Sequence, residues 1–291
     1  MMRYEGDIYR PPSEAHSLII QVTVGCTHNG CTFCPAYKEK RFRLKPFDRV
    51  LEELREARSF YRHVGRIFLA DGDAFCMASG KITRLLESIS EIFPECGRVG
   101  SYSRASQILS KSDEELAAIR EAGLGILYIG AESGSDEVLR RVNKGESAMQ
   151  IIEAVQKAER AGIKTSVTLI SGLGGRELLL EHATKTGQLI SAMNASYVGF
   201  LTLVLEPEAP LYEAVQSGAF ELLSPLEVME ELEVIFEHID CEGETVFRSN
   251  HASNWLALKG TLPQDKERML ERIRSARMNA GMFRAERQRS L

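Results

Sequence analysis

The stretch Gly25-Cys26-Thr27-His28-Asn29-Gly30-Cys31-Thr32-Phe33-Cys34 follows directly on the β-rich run Leu18-Ile19-Ile20-Gln21-Val22-Thr23-Val24. Its three cysteines are separated by four residues and then by two, and no fourth cysteine is near them in sequence. Three thiolates on one short loop can hold three irons of a cubane cluster and leave the fourth iron open to a ligand, which turns an electron-transfer cluster into a reaction centre. A zinc site made from the three cysteines and His28 is the alternative, since thiolate and imidazole also suit zinc. Within the loop, Asn29-Gly30 readily takes positive φ and fits a tight turn.

Downstream of this loop, short β-rich runs alternate with amphipathic patterns. Strands are expected at residues 18–24, 66–70, 98–102, 126–130, 163–170 and 196–203. Phe47, Val50, Leu51, Leu54 and Ala57 follow the spacing of a one-faced helix. Ser112 and Glu115 form a capping box ahead of Leu116 and Ile119, and Gly123 is placed to end that helix. Residues 148–161 form another helix, stopped at Gly162. Alternating strands and helices imply parallel strands with right-handed crossovers. The expected fold class is α/β: a partial (β/α)6 TIM-type barrel of parallel strands over residues 1–204, with a mainly helical C-terminal extension over 205–291. A doubly wound open sheet is the alternative.

In α/β barrels the chemistry sits at the C-terminal ends of the strands, so the residues there are the ones to read. After the second strand stands Asp71-Gly72-Asp73-Ala74-Phe75. Its acidic side chains and closely approaching backbone suit an ammonium group, although a solvated acidic turn would look alike. Ser103 and Arg104 follow the third strand and suit ribose or carboxylate contacts, or a plain surface turn. The fourth strand runs Tyr128-Ile129-Gly130-Ala131-Glu132-Ser133-Gly134-Ser135-Asp136-Glu137-Val138-Leu139, and Asn143-Lys144-Gly145 follows. A carboxylate at Glu132 can accept two hydroxyl donors, and an ammonium at Lys144 can meet a carboxylate. The bland readings are a rim salt bridge for Glu132 and a helix-terminus cation for Lys144. The fifth strand ends Thr168-Leu169-Ile170-Ser171-Gly172-Leu173-Gly174-Gly175, without the Lys-Ser/Thr of a phosphate loop.

Taken together, residues 18–203 carry five motifs in the order found in the radical S-adenosylmethionine (SAM) superfamily, which they resemble. The segment around Glu132 is similar to that of its methylthiotransferase, Elongator-subunit and oxygen-independent coproporphyrinogen oxidase branches. The usual cluster loop has three residues and then two between its cysteines, so the loop here is a variant. The resemblance implies a 4Fe–4S cluster on Cys26, Cys31 and Cys34 whose open iron chelates SAM, with reductive cleavage giving a 5′-deoxyadenosyl radical. It further implies that Asp71, Gly72 and Asp73 meet the methionyl amino group. Glu132 would bond the ribose hydroxyls and Lys144 the carboxylate. Phe33 and Ile170 would pack on the adenine, and Thr168 would point toward the ribose. An electron donor such as flavodoxin or ferredoxin is the expected protein partner.

Substrate is less legible. The coproporphyrinogen oxidases carry a fourth cysteine just after the third, where Pro35 and Ala36 stand here, and no Asp-x-His-x-x-Gly cobalamin signature is present. The run Phe247-Arg248-Ser249-Asn250-His251-Ala252-Ser253-Asn254-Trp255 concentrates polar side chains beside the one tryptophan. It reads as a substrate pocket with His251 and Asn250 as candidate catalytic residues, or as a capped turn. Residues 266–291 carry eight Lys or Arg against three Glu, which suits a solvated helix face or an anionic partner such as RNA. The net charge of −5 argues against a general nucleic-acid binder. Six cysteines in 291 residues do not make a disulfide scaffold, and Cys76, Cys96 and Cys241 read as buried thiols. No apolar run approaches the ~18 residues of a membrane span, and Met1-Met2-Arg3-Tyr4-Glu5-Gly6 lacks a signal-peptide core, so a cytoplasmic protein is expected. The leading expectation is a radical SAM enzyme acting on a small molecule. RNA modification and a non-catalytic zinc or iron–sulfur module are the alternatives.

Overall fold

A computed structural model of the chain describes residues 4–289; residues 1–3 of the leader reading, and residues 290 and 291 of the basic segment, lie outside it. The chain divides into two compact units. The first holds the described residues through Asn29, then Ala36–Ile129 and Lys157–Thr165; the second holds Gly30–Pro35, Gly130–Gln156 and the described residues from Ser166 on.

In the first unit, β1 (Leu18–Gln21), β4 (Arg66–Ala70), β5 (Arg98–Ser103) and the start of β6 (Leu124–Glu132) pair in parallel, while β2 (Thr23–Val24) and β3 (Arg43–Leu44) form a small antiparallel ribbon. Ile20, Ile67 and Phe68 are fully buried, as strands covered on both faces require. Helix α1 (Phe47–Phe60) buries Val50, Leu51, Leu54 and Ala57, the expected stripe. Helix α2 (Ser79–Ile92) does the same with Ile82, Leu85, Leu86 and Ile89. After the short α3 (Ala105–Leu109), α4 (Asp113–Glu121) starts at the expected capping box. There the Glu115 N–H donates to Ser112 Oγ at 3.2 Å and the Ser112 N–H donates to Glu115 Oε2 at 2.8 Å. A box of this kind is worth about 1 kcal/mol. Gly123, at φ +118°, ends the helix.

In the second unit, β7 (Lys164–Ser171) pairs in parallel with β8 (Tyr197–Thr202), setting Thr168 opposite Gly199. Helices α5 (Asp136–Arg141), α6 (Ala148–Arg160) and α7 (Leu179–Met193) alternate with these strands. The extension is mainly helical, with α8 (Leu211–Gln216), α9 (Pro225–Glu237) and α10 (Lys266–Met278). It also supplies two strands the sequence did not announce. β9 (Thr245–Arg248) joins β8 in parallel and β10 (Lys259–Leu262) returns antiparallel to β9. The strand order is β1-β4-β5-β6 in the first unit and β7-β8-β9-β10 in the second. Among the described residues no helix is long and apolar enough to cross a membrane.

Candidate functional site

The site residues of the first unit gather where β1 and β4 end. Gly25, at φ +80°, donates its N–H to Asp71 Oδ2 at 3.1 Å. The same oxygen receives Lys40 Nζ at 2.9 Å and Gln21 Nε2 at 3.3 Å. Asp71 is wholly buried, and its other oxygen, Oδ1, has no hydrogen-bond partner among the described residues. A buried carboxylate oxygen in that condition is costly unless something else meets it. Gly72 is fixed by contact: a Cβ there would lie 2.5 Å from Tyr37 Cε2 and 3.0 Å from Cys26 Cβ. The backbone of residue 72 therefore runs against Cys26 as only glycine allows. Asp73 accepts from Thr27 Oγ1 and, at 3.2 Å, from the Arg104 N–H. Both acidic residues thus brace the start of the cysteine loop. Ser103 turns its hydroxyl onto the Arg104 carbonyl at 2.9 Å.

None of the six cysteines is in a disulfide. Burial pushes the Cys76 thiol up to about 12, the nearby Asp73 adding to it, and burial also raises Cys96 and Cys241. These three stay protonated near neutrality. Among the described residues no group of three His, Cys, Asp or Glu is arranged to hold a single metal ion. Cubane thiolates each take a different iron and need no such convergence. Asn29 has φ +41°, the positive value foreseen for the added loop residue.

The division between the units falls inside the loop, between Asn29 and Gly30. In the second unit, the residues bearing Cys31, Phe33 and Cys34 are pinned by backbone bonds. The Thr32 N–H donates to the Val142 carbonyl and the Leu211 N–H to the Thr32 carbonyl, each at 2.9 Å, and Asn143 Nδ2 reaches the Gly30 carbonyl at 2.9 Å. Phe33 packs against the buried cluster of Val138, Val142, Ile170 and Leu173, so the two residues expected at adenine share one apolar patch.

Glu132, the last residue of β6, has φ +69°. The Ser133 N–H closes a three-residue turn onto the Ala131 carbonyl at 2.8 Å around it, the strained form of that turn. Lys144 Nζ donates to Glu132 Oε1 at 3.1 Å, both side chains being a tenth exposed or less. Burial works against the Lys144 ammonium, but Glu132, with Cys31 and Glu146 behind it, raises its pKa. A Cβ on Gly130 would collide with Glu132 Oε1 and lie 3.2 Å from Lys144 Nζ. The glycine makes room for the pair.

Around the late polar run, Thr202 Oγ1 donates to Asn254 Oδ1 at 3.0 Å, and Asn254 Nδ2 reaches the Phe200 carbonyl at 2.7 Å. The Ser253 N–H donates to His251 Nδ1 at 3.1 Å, which leaves the ring proton on Nε2. Burial and then the charge of Arg284 lower the pKa of His251, so the ring is neutral near pH 7. Asn250 is exposed. The C-terminal segment covers this run: Arg284 bonds the His251 carbonyl at 2.8 Å, and Arg289 bonds the Ser253 carbonyl at 2.8 Å. The Arg289 guanidinium lies 3.8 Å over the Trp255 ring.

The sequence did not point to the buried group of Ser133, His182 and Glu231. A histidine or glutamate inside an amphipathic pattern carries no local mark of full burial.

The sequence profile of the Radical SAM superfamily matches residues 20–179, more than half of the chain. The chain is 21% identical over 226 residues to the heme chaperone of Bacillus subtilis, covering 75% of this chain and 58% of that protein. It is 28% identical over 175 residues to a putative methylthiotransferase of Methanocaldococcus jannaschii, covering 56% and 37%. The chain thus spans less than two thirds of either relative's length. Coproporphyrinogen III oxidase from Escherichia coli, a radical SAM enzyme, has a similar structure with a TM-score of 0.56 at 19% identity over 76% of this chain and 52% of that one. At that identity the likeness speaks for the fold.

Proposed function

Because the chain belongs to the radical SAM superfamily, whose members are enzymes that use a 4Fe–4S cluster and SAM, we propose that Cys26, Cys31 and Cys34 hold the cluster and that the substrate is a small molecule. When bound, the reduced cluster and SAM supply a 5′-deoxyadenosyl radical that abstracts hydrogen from the substrate, and the protein supplies orientation and exclusion of water.

The residues present suit these groups. Asp71 offers a buried oxygen with unused acceptor capacity, and Gly72 an approachable backbone, toward an amino group, with Asp73 bonded to Thr27 of the cysteine loop. Phe33 and Ile170 offer an apolar patch for adenine, Thr168 would meet the ribose from β7, and the Arg104 N–H donates to Asp73 beside Ser103. The observation that carries the reading is the buried pair of Lys144 and Glu132. A buried ion pair is a poor stabiliser compared with apolar packing. Here the fold keeps one, on a strained backbone and over a glycine, where a ligand's carboxylate and ribose hydroxyls would take up each charge.

Two features favour a small substrate over RNA. The basic residues of α10 are largely spent internally: Arg274 bonds Glu233 at 2.7 Å and Glu237 at 2.8 Å, and Arg277 bonds Glu233. The neutral His251, with its ring oriented by Ser253, offers a hydrogen-bond donor in a polar run beside exposed Asn250. A low-potential donor of flavodoxin or ferredoxin type completes the proposal.

Anaerobic reconstitution with iron and sulfide, reduction by dithionite, and quantification of 5′-deoxyadenosine after adding SAM test this reading. Product from the wild type that vanishes in Cys31→Ala supports it. A colourless protein with stoichiometric zinc and no product overturns it.

A further inference from the structure

The three residues that follow Glu132 are each bonded to helix α7. Ser133 Oγ lies 2.7 Å from His182 Nδ1, the Gly134 N–H donates to Thr186 Oγ1 at 3.0 Å, and Ser135 Oγ donates to Glu181 Oε1 at 2.5 Å. Glu181, His182 and Thr186 lie on one side of the helix, and a Cβ on Gly134 would collide with the Lys185 carbonyl there. A non-glycine residue at φ +69° persists only when its surroundings hold it, and these contacts are the surroundings of Glu132.

Ser133 is the centre of the arrangement. Its N–H closes the turn around Glu132, and its Oγ accepts from the Ser135 N–H at 3.0 Å. Which of the two atoms donates follows the ring tautomer. His182 Nε2 lies 3.6 Å from Glu231 Oε1, beyond hydrogen-bond distance. Glu231 is itself held by the Gly172 N–H, which lies 3.1 and 2.9 Å from its two oxygens just past the end of β7. Ser133, His182 and Glu231 are all wholly buried.

We propose that His182 is a positioning residue for Glu132: it holds Ser133, and through Ser133 the strained turn that aims the Glu132 carboxylate. The inference rests on the reading of Glu132 as the ribose-binding carboxylate. Burial pushes His182 down to about 4, a hydrogen bond to the Ile170 backbone opposing it, and pushes Glu231 up to about 8 against the Gly172 N–H. Both are neutral at pH 7, as befits groups that orient and do not carry charge.

The test uses the full chain without cluster and two probes, 5′-deoxyadenosine and 2′,5′-dideoxyadenosine, which differ by one ribose hydroxyl. Calorimetry gives both Kd values. The wild type is expected to prefer the hydroxylated probe about tenfold, as loss of a hydrogen bond to a charged group implies. His182→Leu is expected to abolish the preference, and His182→Asn, which keeps a hydrogen-bonding group for the Ser133 hydroxyl, to retain most of it. General loosening of the fold would weaken both probes alike. Retention of the preference in His182→Leu overturns the inference, provided that Glu132→Ala loses it. Retention in Glu132→Ala overturns the reading of Glu132 instead. If His182→Leu does not fold, Ser133→Ala removes the same bond and is judged by the same ratio.

Discussion

Lys144 Nζ meets Glu132 Oε1 at 3.1 Å, across twelve residues of chain and with both side chains nearly excluded from solvent. Removing one partner strands the other charge. Lys144→Met is expected to cost about 3–5 kcal/mol of stability. Adding Glu132→Gln should recover much of that loss without recovering SAM affinity. Urea unfolding of the two single variants and the double variant, with SAM binding measured alongside, checks both halves. A double variant that binds SAM like the wild type would remove the pair from the site.

Gly130 and Gly72 are occupied by their neighbours' atoms. Gly130→Ala pushes a methyl group into Glu132 Oε1 and should destabilise by about 1–3 kcal/mol while weakening SAM binding. Gly72→Ala drives Cys26 and the Tyr37 ring apart and should lower iron retention after reconstitution. Iron content equal to the wild type in Gly72→Ala would contradict this.

Cys76 has a thiol raised to about 12, so it is a poor iron ligand and a slow nucleophile. Cys76→Ser is expected to leave iron and sulfide content unchanged, whereas Cys34→Ser should lose most of both. Iron and sulfide assays on the reconstituted variants decide it.

The buried neutral pair sets a pH dependence. The Glu231 carboxyl keeps its proton in the folded chain up to about pH 8 but releases it near 4.5 when unfolded, so its effect is that stability falls as pH rises through that window. His182, lowered from 6.5 to about 4, acts in the opposite sense between those values. The two slopes offset each other up to 6.5, and only that of Glu231 remains from there to 8. The wild type should lose roughly 2 kcal/mol over that last interval, and Glu231→Gln should lose that much less. Urea titrations at the two ends of the interval give the comparison; identical losses would mean that Glu231 does not titrate there.

Arg274 and Arg277 of α10 are engaged with α9, so binding of single-stranded RNA should be no stronger than that of a control protein of equal charge at low salt. Filter binding measures it. A steep loss of real affinity with salt would instead indicate phosphate contacts.

The legible parts of the chain were those with local signals. The stripe of α1, the capping box at Ser112 and Glu115, and the stop at Gly123 are each written within a few residues. The cysteine loop and the glycine-bearing strand ends were legible for the same reason. β9 and β10 were not, because four-residue strands with one or two buried positions carry too little alternation to stand out. The contact of Lys144 with Glu132 was also hidden: each was readable only as a candidate, and their meeting depends on the turn through Asn143, at φ +52°, and Gly145, at φ +73°. His182 was invisible because its burial is decided by Ser133 and Glu231, which lie about fifty residues away on either side.

Trp255 is the only tryptophan in the chain, and its indole face carries the guanidinium of Arg289, with the Phe283 ring 6.5 Å away. Its emission is therefore a built-in optical gauge, needing no label, of whether the last turns of the polypeptide are seated over the run that contains His251.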